Sequence, residues 1–205
     1  MTALPIAQPP ADVPSKFENF LVKYRVHVGF LIAAGVLIEG VLEKELPLDW
    51  THPSTAAYIA IPLILIGLAV RFISLGTIRK NESLATKGIY SRCRHPLYFG
   101  SALLFVGLGL ILNDAGYEFW YLGVPYLLLF YSAAVRKEER FLRSKFGPEF
   151  DAYKAQTPAF FPYGRYVQGQ FSVSRAFQKG GTKLCVSVAL MLIAMQAMVY
   201  VLPKL

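Results

Sequence analysis

Apolar residues gather in five nearly unbroken runs, 26–42, 55–75, 96–112, 117–135 and 184–202, with the polar residues left mostly between them. A run of 17 residues makes a helix of about 26 Å, close to the ~30 Å hydrocarbon core of a bilayer. The pattern therefore predicts an all-α, polytopic membrane protein with about five transmembrane helices. Before the first run, Ser15-Lys16-Phe17-Glu18 has the spacing of a capping box, in which serine and glutamate satisfy each other's end of a new helix. Residues 1–14 hold four prolines and are expected to be a disordered tail. Residues 15–205 then form one membrane-embedded domain, with a core at 76–165 and an additional helix at 184–202.

Inside the runs, several positions stand out. Pro62 predicts a bend in the second. Arg71, four residues from that run's end, fits either a buried functional cation or a side chain snorkelling to the surface. Glu39, near the end of the first run, is close enough to the interface to be solvated. Gly100, Ser101, Ala102, Gly107 and Gly109 keep the third run slim, so that another helix can approach it closely. The turn residues at 113–116 suggest that runs three and four form a tight hairpin.

Charge fixes the expected orientation. The chain is 55% hydrophobic and 17% charged, with net charge +8 and mean hydropathy +0.43; soluble domains carry about 25% charged residues. Of 21 Lys and Arg, three precede the first run, five lie between runs two and three, and ten lie in 136–183. Alternating spans put those segments on one face, which the positive-inside rule makes cytoplasmic, with the N-terminus inside and the C-terminus outside. Basic residues confined between apolar runs argue against a nucleic-acid partner. Cys93 and Cys185 have neither metal-ligand spacing nor a disulfide framework, so no metal site is expected. No signal peptide or prenylation box is expected either.

Polar chemistry concentrates in two stretches of the cytoplasmic face. In 87–100, Arg92, Arg94 and His95 abut Pro96, and proline is favoured at the first position of a helix. Backbone N–H groups at that entrance, with the basic side chains, form either an anion dock or a simple interfacial anchor. In 136–147, Glu139 and Arg143 stand i,i+4 and can pair for about 0.3–0.5 kcal/mol. Glu138 has Phe141 and Leu142 at i+3 and i+4, so its carboxylate needs a polar partner from elsewhere, with Arg94, His95 or a cation as candidates. The aromatic, proline-broken segment 146–163 suits a lid or an interfacial anchor.

Together, Gly88, Tyr90, Arg94-His95-Pro96, Tyr98 and Gly100, then Glu138-Glu139, Leu142, Phe146-Gly147, Tyr153, Pro158 and Pro162 resemble the isoprenylcysteine carboxyl methyltransferase family, whose wider relatives include membrane phospholipid N-methyltransferases. The resemblance covers about residues 81–162. It implies S-adenosylmethionine held at the cytoplasmic surface beside a lipid-side opening, with cofactor contacts from Glu82, Ser83, Leu84, Ala85, Tyr90, Arg94, His95, Pro96, Leu97, Tyr98, Glu138 and Glu139. Arg136 and Glu138 are its catalytic candidates. The sequence departs from the family at Glu82, where a histidine is common, in the uncertain register of Arg136, and in its fifth run.

The side chains suit methyl transfer. Carboxylates can hold an ammonium and ribose, arginine and histidine a carboxylate, and Tyr90 or Tyr98 can face a positive sulfur. An anionic nucleophile would need only orientation, while an amine would need Glu138, Glu139 or His95 as base. The expected acceptor is a lipidated or amphipathic molecule, isoprenylcysteine-like or a phospholipid amine among others. The expected setting is a bacterial inner membrane, with the endoplasmic reticulum as its eukaryotic equivalent. An NADPH-dependent sterol-type reductase, similar around Arg94-His95-Pro96, and a non-catalytic scaffold are the rival readings.

Overall fold

The computed structural model describes residues 15–42, 55–79, 83–111 and 118–201. The expected tail, the turn at 113–116 and Glu82 lie outside them. Eight helices are described: α1 Lys16–Leu42, α2 Thr55–Thr77, α3 Ile89–Arg92, α4 Pro96–Ile111, α5 Glu118–Phe146, α6 Pro148–Gln156, α7 Val173–Gln178 and α8 Gly181–Val201. Among the described residues there is no strand, only one isolated bridge between Gly88 and Val167. The all-α expectation holds.

α1 begins where the capping signal placed it, and the Glu18 N–H donates to Ser15 Oγ at 3.1 Å. The Glu18 side chain does something else. Its Oε1 lies 2.5 Å from Arg140 and 3.6 Å from Arg136, so it ties the start of α1 to the polar half of α5.

The tightest interface joins α2 to α4, and small residues create it. A Cβ on Gly100 would stand 2.9 Å from Gly67 O, one on Gly67 would meet Gly100 O at 2.8 Å, and one on Gly107 would meet Ala60 O at 2.9 Å. Backbones this close exclude any larger side chain. Thus Gly100 and Gly107 of the slim face serve α2, while Gly109 makes room for Phe119 and Trp120 of the hairpin partner α5. α4 and α5 meet instead through aromatic rings, Phe105 stacked on Phe119 at 4.7 Å and Tyr98 edge-on to Tyr131 at 5.5 Å. Val188 of α8 joins the same core as Ala57, Ala60, Ile64 and Leu104, which gives the fifth apolar run its packing partner.

Many large apolar side chains point outward, among them Phe30, Leu31, Leu65, Leu128, Leu190 and Ile193. Faces of this kind mark lipid or partner contact. Among the described residues α2 is long and apolar enough to cross a membrane, while α4 and the first part of α8 are shorter apolar helices. Pro62 is accommodated within α2.

Gly107→Leu should lower the stability of the detergent-solubilised protein by about 1–3 kcal/mol, the usual range for overpacking. Thermal unfolding followed by circular dichroism measures it, and an unchanged midpoint would show that α2 and α4 are not in backbone contact.

Candidate active site

The polar connector before α4 is splinted by the segment that follows α6. Gly88 N–H donates to Val167 O at 2.8 Å, Arg94 N–H to Pro158 O at 2.8 Å, His95 N–H to Ala159 O at 3.0 Å, and Gly164 N–H to Arg92 O at 3.0 Å. The Arg92 guanidinium returns to Gly164 O at 3.0 Å, and Tyr153 Oη donates to Tyr90 O at 2.6 Å. Gly88 sits at φ 65°, in the left-handed region that glycine enters without a steric penalty. A Cβ on Gly169 would lie 2.5 Å from Gly88 N, so the splint can press this close only with a bare backbone.

These bonds revise the anion-dock reading. The Arg94 and His95 N–H groups are already bound to carbonyls, and the Tyr98 and Phe99 N–H groups fold onto His95 O. The entrance to α4 therefore offers its side chains more than its backbone.

Those side chains converge on Glu139. Its Oε1 accepts from Arg94 Nε at 3.1 Å and Nη2 at 2.8 Å and lies 3.1 Å from His95 Nε2. Its Oε2 accepts from Lys154 Nζ at 2.6 Å. Arg94 Nη1 donates to Lys154 O at 3.1 Å and to Thr157 O. Burial opposes ionisation of Glu139, but the hydrogen bonds from His95, Lys154 and Arg94 outweigh it and hold its carboxyl well below the usual carboxylate range. The expected Glu139–Arg143 pair is not formed, because Arg143 turns to Asp151, 3.1 Å away. A buried, multiply bonded position beats a surface i,i+4 contact.

Glu138 is the freer carboxylate. Its side chain is 36% exposed, with Oε2 3.9 Å from His95 Nδ1, and its charge acts on the hydroxyls of Tyr90, Tyr98 and Tyr153. Beside it, two deeply buried atoms have no hydrogen-bond partner, His95 Nδ1 and Tyr90 Oη. His95 is 2% and Tyr90 5% exposed. Burial first, and Glu138 next, push the Tyr90 phenol far above its ordinary range, so it stays a neutral hydroxyl. Cys93, also buried, has its thiol pushed up to about 11 by burial and is not a nucleophile at neutral pH.

A cavity of about 480 Å³, within the usual size range for small-molecule sites, lies nearby along the connector. Ser83, Leu84 and Ala85 line it, with Thr77, Arg79, Lys87 and Gln168–Gln170. The Gly88–Val167 bridge links the two regions: its sequence neighbours Lys87 and Gln168 line the cavity, and Tyr90 leads on toward His95.

With this geometry in view, the comparisons with known proteins are decisive. A family model for phospholipid methyltransferases matches residues 55–149. The chain is 35% identical over 173 residues to a cobalt-zinc-cadmium resistance protein, CzcN, of Cupriavidus metallidurans, covering 78% of this chain and 74% of that one. It is 32% identical over 164 residues to a nickel-cobalt-cadmium resistance protein, NccN, of Alcaligenes xylosoxydans xylosoxydans, covering 76% and 72%. It is 31% identical over 83 residues to the protein-S-isoprenylcysteine O-methyltransferase of Schizosaccharomyces pombe, covering 40% and 34%. The chain belongs to the family of CzcN and NccN, one that is isoprenylcysteine carboxyl methyltransferase-like. No solved structure matches it significantly.

The family motifs are brought together unevenly. His95, Glu138, Glu139, Arg94, Tyr90 and Tyr98 form one cluster, while Ser83, Leu84 and Ala85 line the cavity. Pro96 is fully buried at the first position of α4, and Leu97 contributes its carbonyl to Arg71. Arg136, expected to be catalytic, is turned away. Its side chain is 57% exposed and faces Glu18, roughly 200° around the helix from Glu138. Arg94, expected to hold the cofactor, spends its guanidinium on Glu139, Lys154 O and Thr157 O, which makes it a positioning residue for His95 and Glu139. Lys154 and the glutamines at 168 and 170 were not anticipated, and no motif spacing points to them: Lys154 comes from the segment read as a lid and the glutamines from just beyond it. Tyr153 belongs to the motif, but its bond to the Tyr90 carbonyl was not foreseen.

Glu139→Gln should cost about 2–3 kcal/mol, less than the ~3–5 of a fully buried pair because Lys154 is half exposed. Since the folded-state pKa is depressed, the stability Glu139 confers is full above its ordinary value of 4.5 and is lost as pH falls below it. Melting curves across pH 3–7 should show wild type losing more stability on acidification than Glu139→Gln. Parallel curves would remove Glu139 from its central role.

Proposed function

We propose that this chain is an S-adenosylmethionine-dependent methyltransferase of lipidated or amphipathic acceptors, working as a multi-pass protein at the cytoplasmic face of a bacterial inner membrane. The observation that carries the reading is the pair of buried, unpartnered atoms, Tyr90 Oη and His95 Nδ1, set around the half-exposed Glu138. Groups of this kind cost stability unless something binds them. A zwitterion fits them: Glu138 can take an ammonium or ribose hydroxyls, Tyr90 can donate to a carboxylate or hydroxyl, and His95 Nδ1 can accept from a hydroxyl or ammonium. The cavity at Ser83–Ala85 has room for the remaining, larger part of such a molecule.

S-adenosylmethionine, when bound, supplies an electrophilic methyl carbon on a positive sulfur. The protein then has to align the acceptor in line with that carbon and exclude water. Transfer from the bound cofactor would exchange its S–C bond for a new O–C or N–C bond on the acceptor. An acceptor carboxylate loses no proton in this step, whereas an acceptor amine must give one up. Glu138, with its accessible carboxylate, is the base this arrangement favours for that case. Glu139, locked by Arg94, His95 and Lys154, is not.

The names of CzcN and NccN suggest a physiological setting, and we extend it to this chain as part of the proposal: methylation of an envelope lipid or lipidated molecule in support of metal tolerance. Deleting the gene should then lower the cobalt, zinc or cadmium concentration that cells withstand, and His95→Ala should not restore it.

The direct test is calorimetric titration of the purified protein with S-adenosylhomocysteine and with NADPH. Binding of the former alone is expected. NADPH binding alone would favour a reductase, and binding of neither a scaffold. Tyr90→Phe removes a hydroxyl that nothing in the fold uses, so it should leave the melting temperature unchanged or higher. It should weaken S-adenosylhomocysteine about 5- to 10-fold, one lost hydrogen bond.

A further inference from the structure

Beyond Tyr98, a second polar group continues into the helix bundle. Arg71 does not reach for the surface. Its Nη1 donates to Leu97 O at 3.3 Å and to Ser101 Oγ, and its Cγ lies 2.7 Å from where a Cβ on Gly100 would stand. The side chain is laid across α4, and its Nε is buried without a hydrogen-bond partner. Its charge acts on the hydroxyls of Tyr98 and Tyr131. Those rings meet at 5.5 Å, and Tyr131 meets Tyr126 at 6.5 Å. Tyr126 Oη in turn donates to the Arg25 carbonyl at 2.8 Å, and the Arg25 charge acts on both Tyr98 and Tyr126.

Two guanidinium groups, one from α1 and one from α2, therefore address one cluster of tyrosines. Among the described residues neither has a carboxylate partner. Uncompensated cations among apolar helices are costly, and arginine's fork is suited to a carboxylate or phosphate. A mere α2–α4 staple would require neither Arg25 nor an idle Nε. The cluster also borders the reaction site, because the Tyr98 ring lies 5.9 Å from that of His95.

We propose that Arg25 and Arg71 form an oxyanion-recognition site between α1, α2, α4 and α5, which holds the carboxylate or phosphate of an amphiphile and presents that molecule beside His95 and Glu138. The binding claim stands alone; that the bound molecule is the methyl acceptor rests on the function proposed above. Arg25 and Arg71 are then the residues that select anionic over neutral acceptors.

The test uses the full-length protein in neutral maltoside micelles, titrated with hexadecanoate, its methyl ester, hexadecyl phosphate and inorganic phosphate, with S-adenosylhomocysteine titrated in parallel. Wild type should bind at least one anionic amphiphile tenfold or more tighter than the ester. Arg25→Gln and Arg71→Gln should each lose tenfold or more of that affinity, Arg71→Lys less, while affinity for S-adenosylhomocysteine changes less than twofold. Equal binding of acid and ester, or wild-type binding of the acid by Arg25→Gln, would overturn the proposal. So would inorganic phosphate binding where the anionic amphiphiles do not. Should Arg71→Gln fail to fold, Arg25→Gln decides, since no side-chain hydrogen bond of Arg25 is present to be lost. Absence of S-adenosylhomocysteine binding in wild type would instead sink the methyltransferase reading and leave the anion result standing.

Discussion

The site depends on one carboxylate. Glu139 draws Arg94 and His95 from the entrance of α4 and Lys154 from α6 onto α5, so three elements distant in sequence share one charge. Each pairing alone would be of little energetic consequence at the surface. Gathered on a partly buried anion, with Arg94 spread further over two carbonyls, they make a cross-link that cannot lose one member without leaving an unpaired charge. Holding His95 by Nε2 also settles where its other nitrogen is directed. A carboxylate only accepts, so Nε2 carries the proton toward Glu139, and Nδ1 is left toward Glu138.

Much of this was legible in the letters, and the failures have physical causes. The five apolar runs match α1, α2, α4, α5 and α8 because near-continuous hydrophobicity over this length has few structural solutions. Arg94, His95, Glu138 and Glu139 were identifiable as one constellation. Their division of labour was not. Sequence distance favours Arg143 for Glu139, and it cannot reveal that the segment after α5 folds back and delivers Lys154 into a less hydrated place. Arg136 came only from the resemblance, in an uncertain register, and the letters do not show that helical rotation points it at Glu18. Small residues on α4 correctly announced a close neighbour, but composition alone cannot say which helix that neighbour is.

The backbone splint explains why the site can be rigid while built largely from a loop. Loops position side chains loosely unless their amides are bound. Here the amides of Gly88, Arg94 and His95 are bound by one downstream segment, and the phenol of Tyr153 holds the Tyr90 carbonyl. The connector is thus fixed from two directions, by ion pairs on α5 and by main-chain bonds from 158–167. The splint lies beyond residue 149, where the matched family region ends, so the site is completed only when that downstream segment has folded back.

This division explains why adjacent glutamates serve different ends. Helix geometry turns successive side chains by about 100°, so Glu138 and Glu139 cannot both point at the same partners. The one that reaches Arg94, His95 and Lys154 is neutralised and becomes architecture. Its neighbour, rotated toward Tyr90, Tyr98 and the free nitrogen of His95, keeps an uncompensated charge in a polar recess. A sulfonium cofactor with an ammonium group is a cation in search of such a charge, and an anionic acceptor would be repelled by it. The arginines at 25 and 71 lie where that repulsion has to be offset, on the far side of Tyr98 from His95 along the series of ring contacts. Under the proposed function, donor and acceptor would thereby be drawn to opposite charges on either side of one tyrosine, as an in-line transfer between a cation and an anion requires.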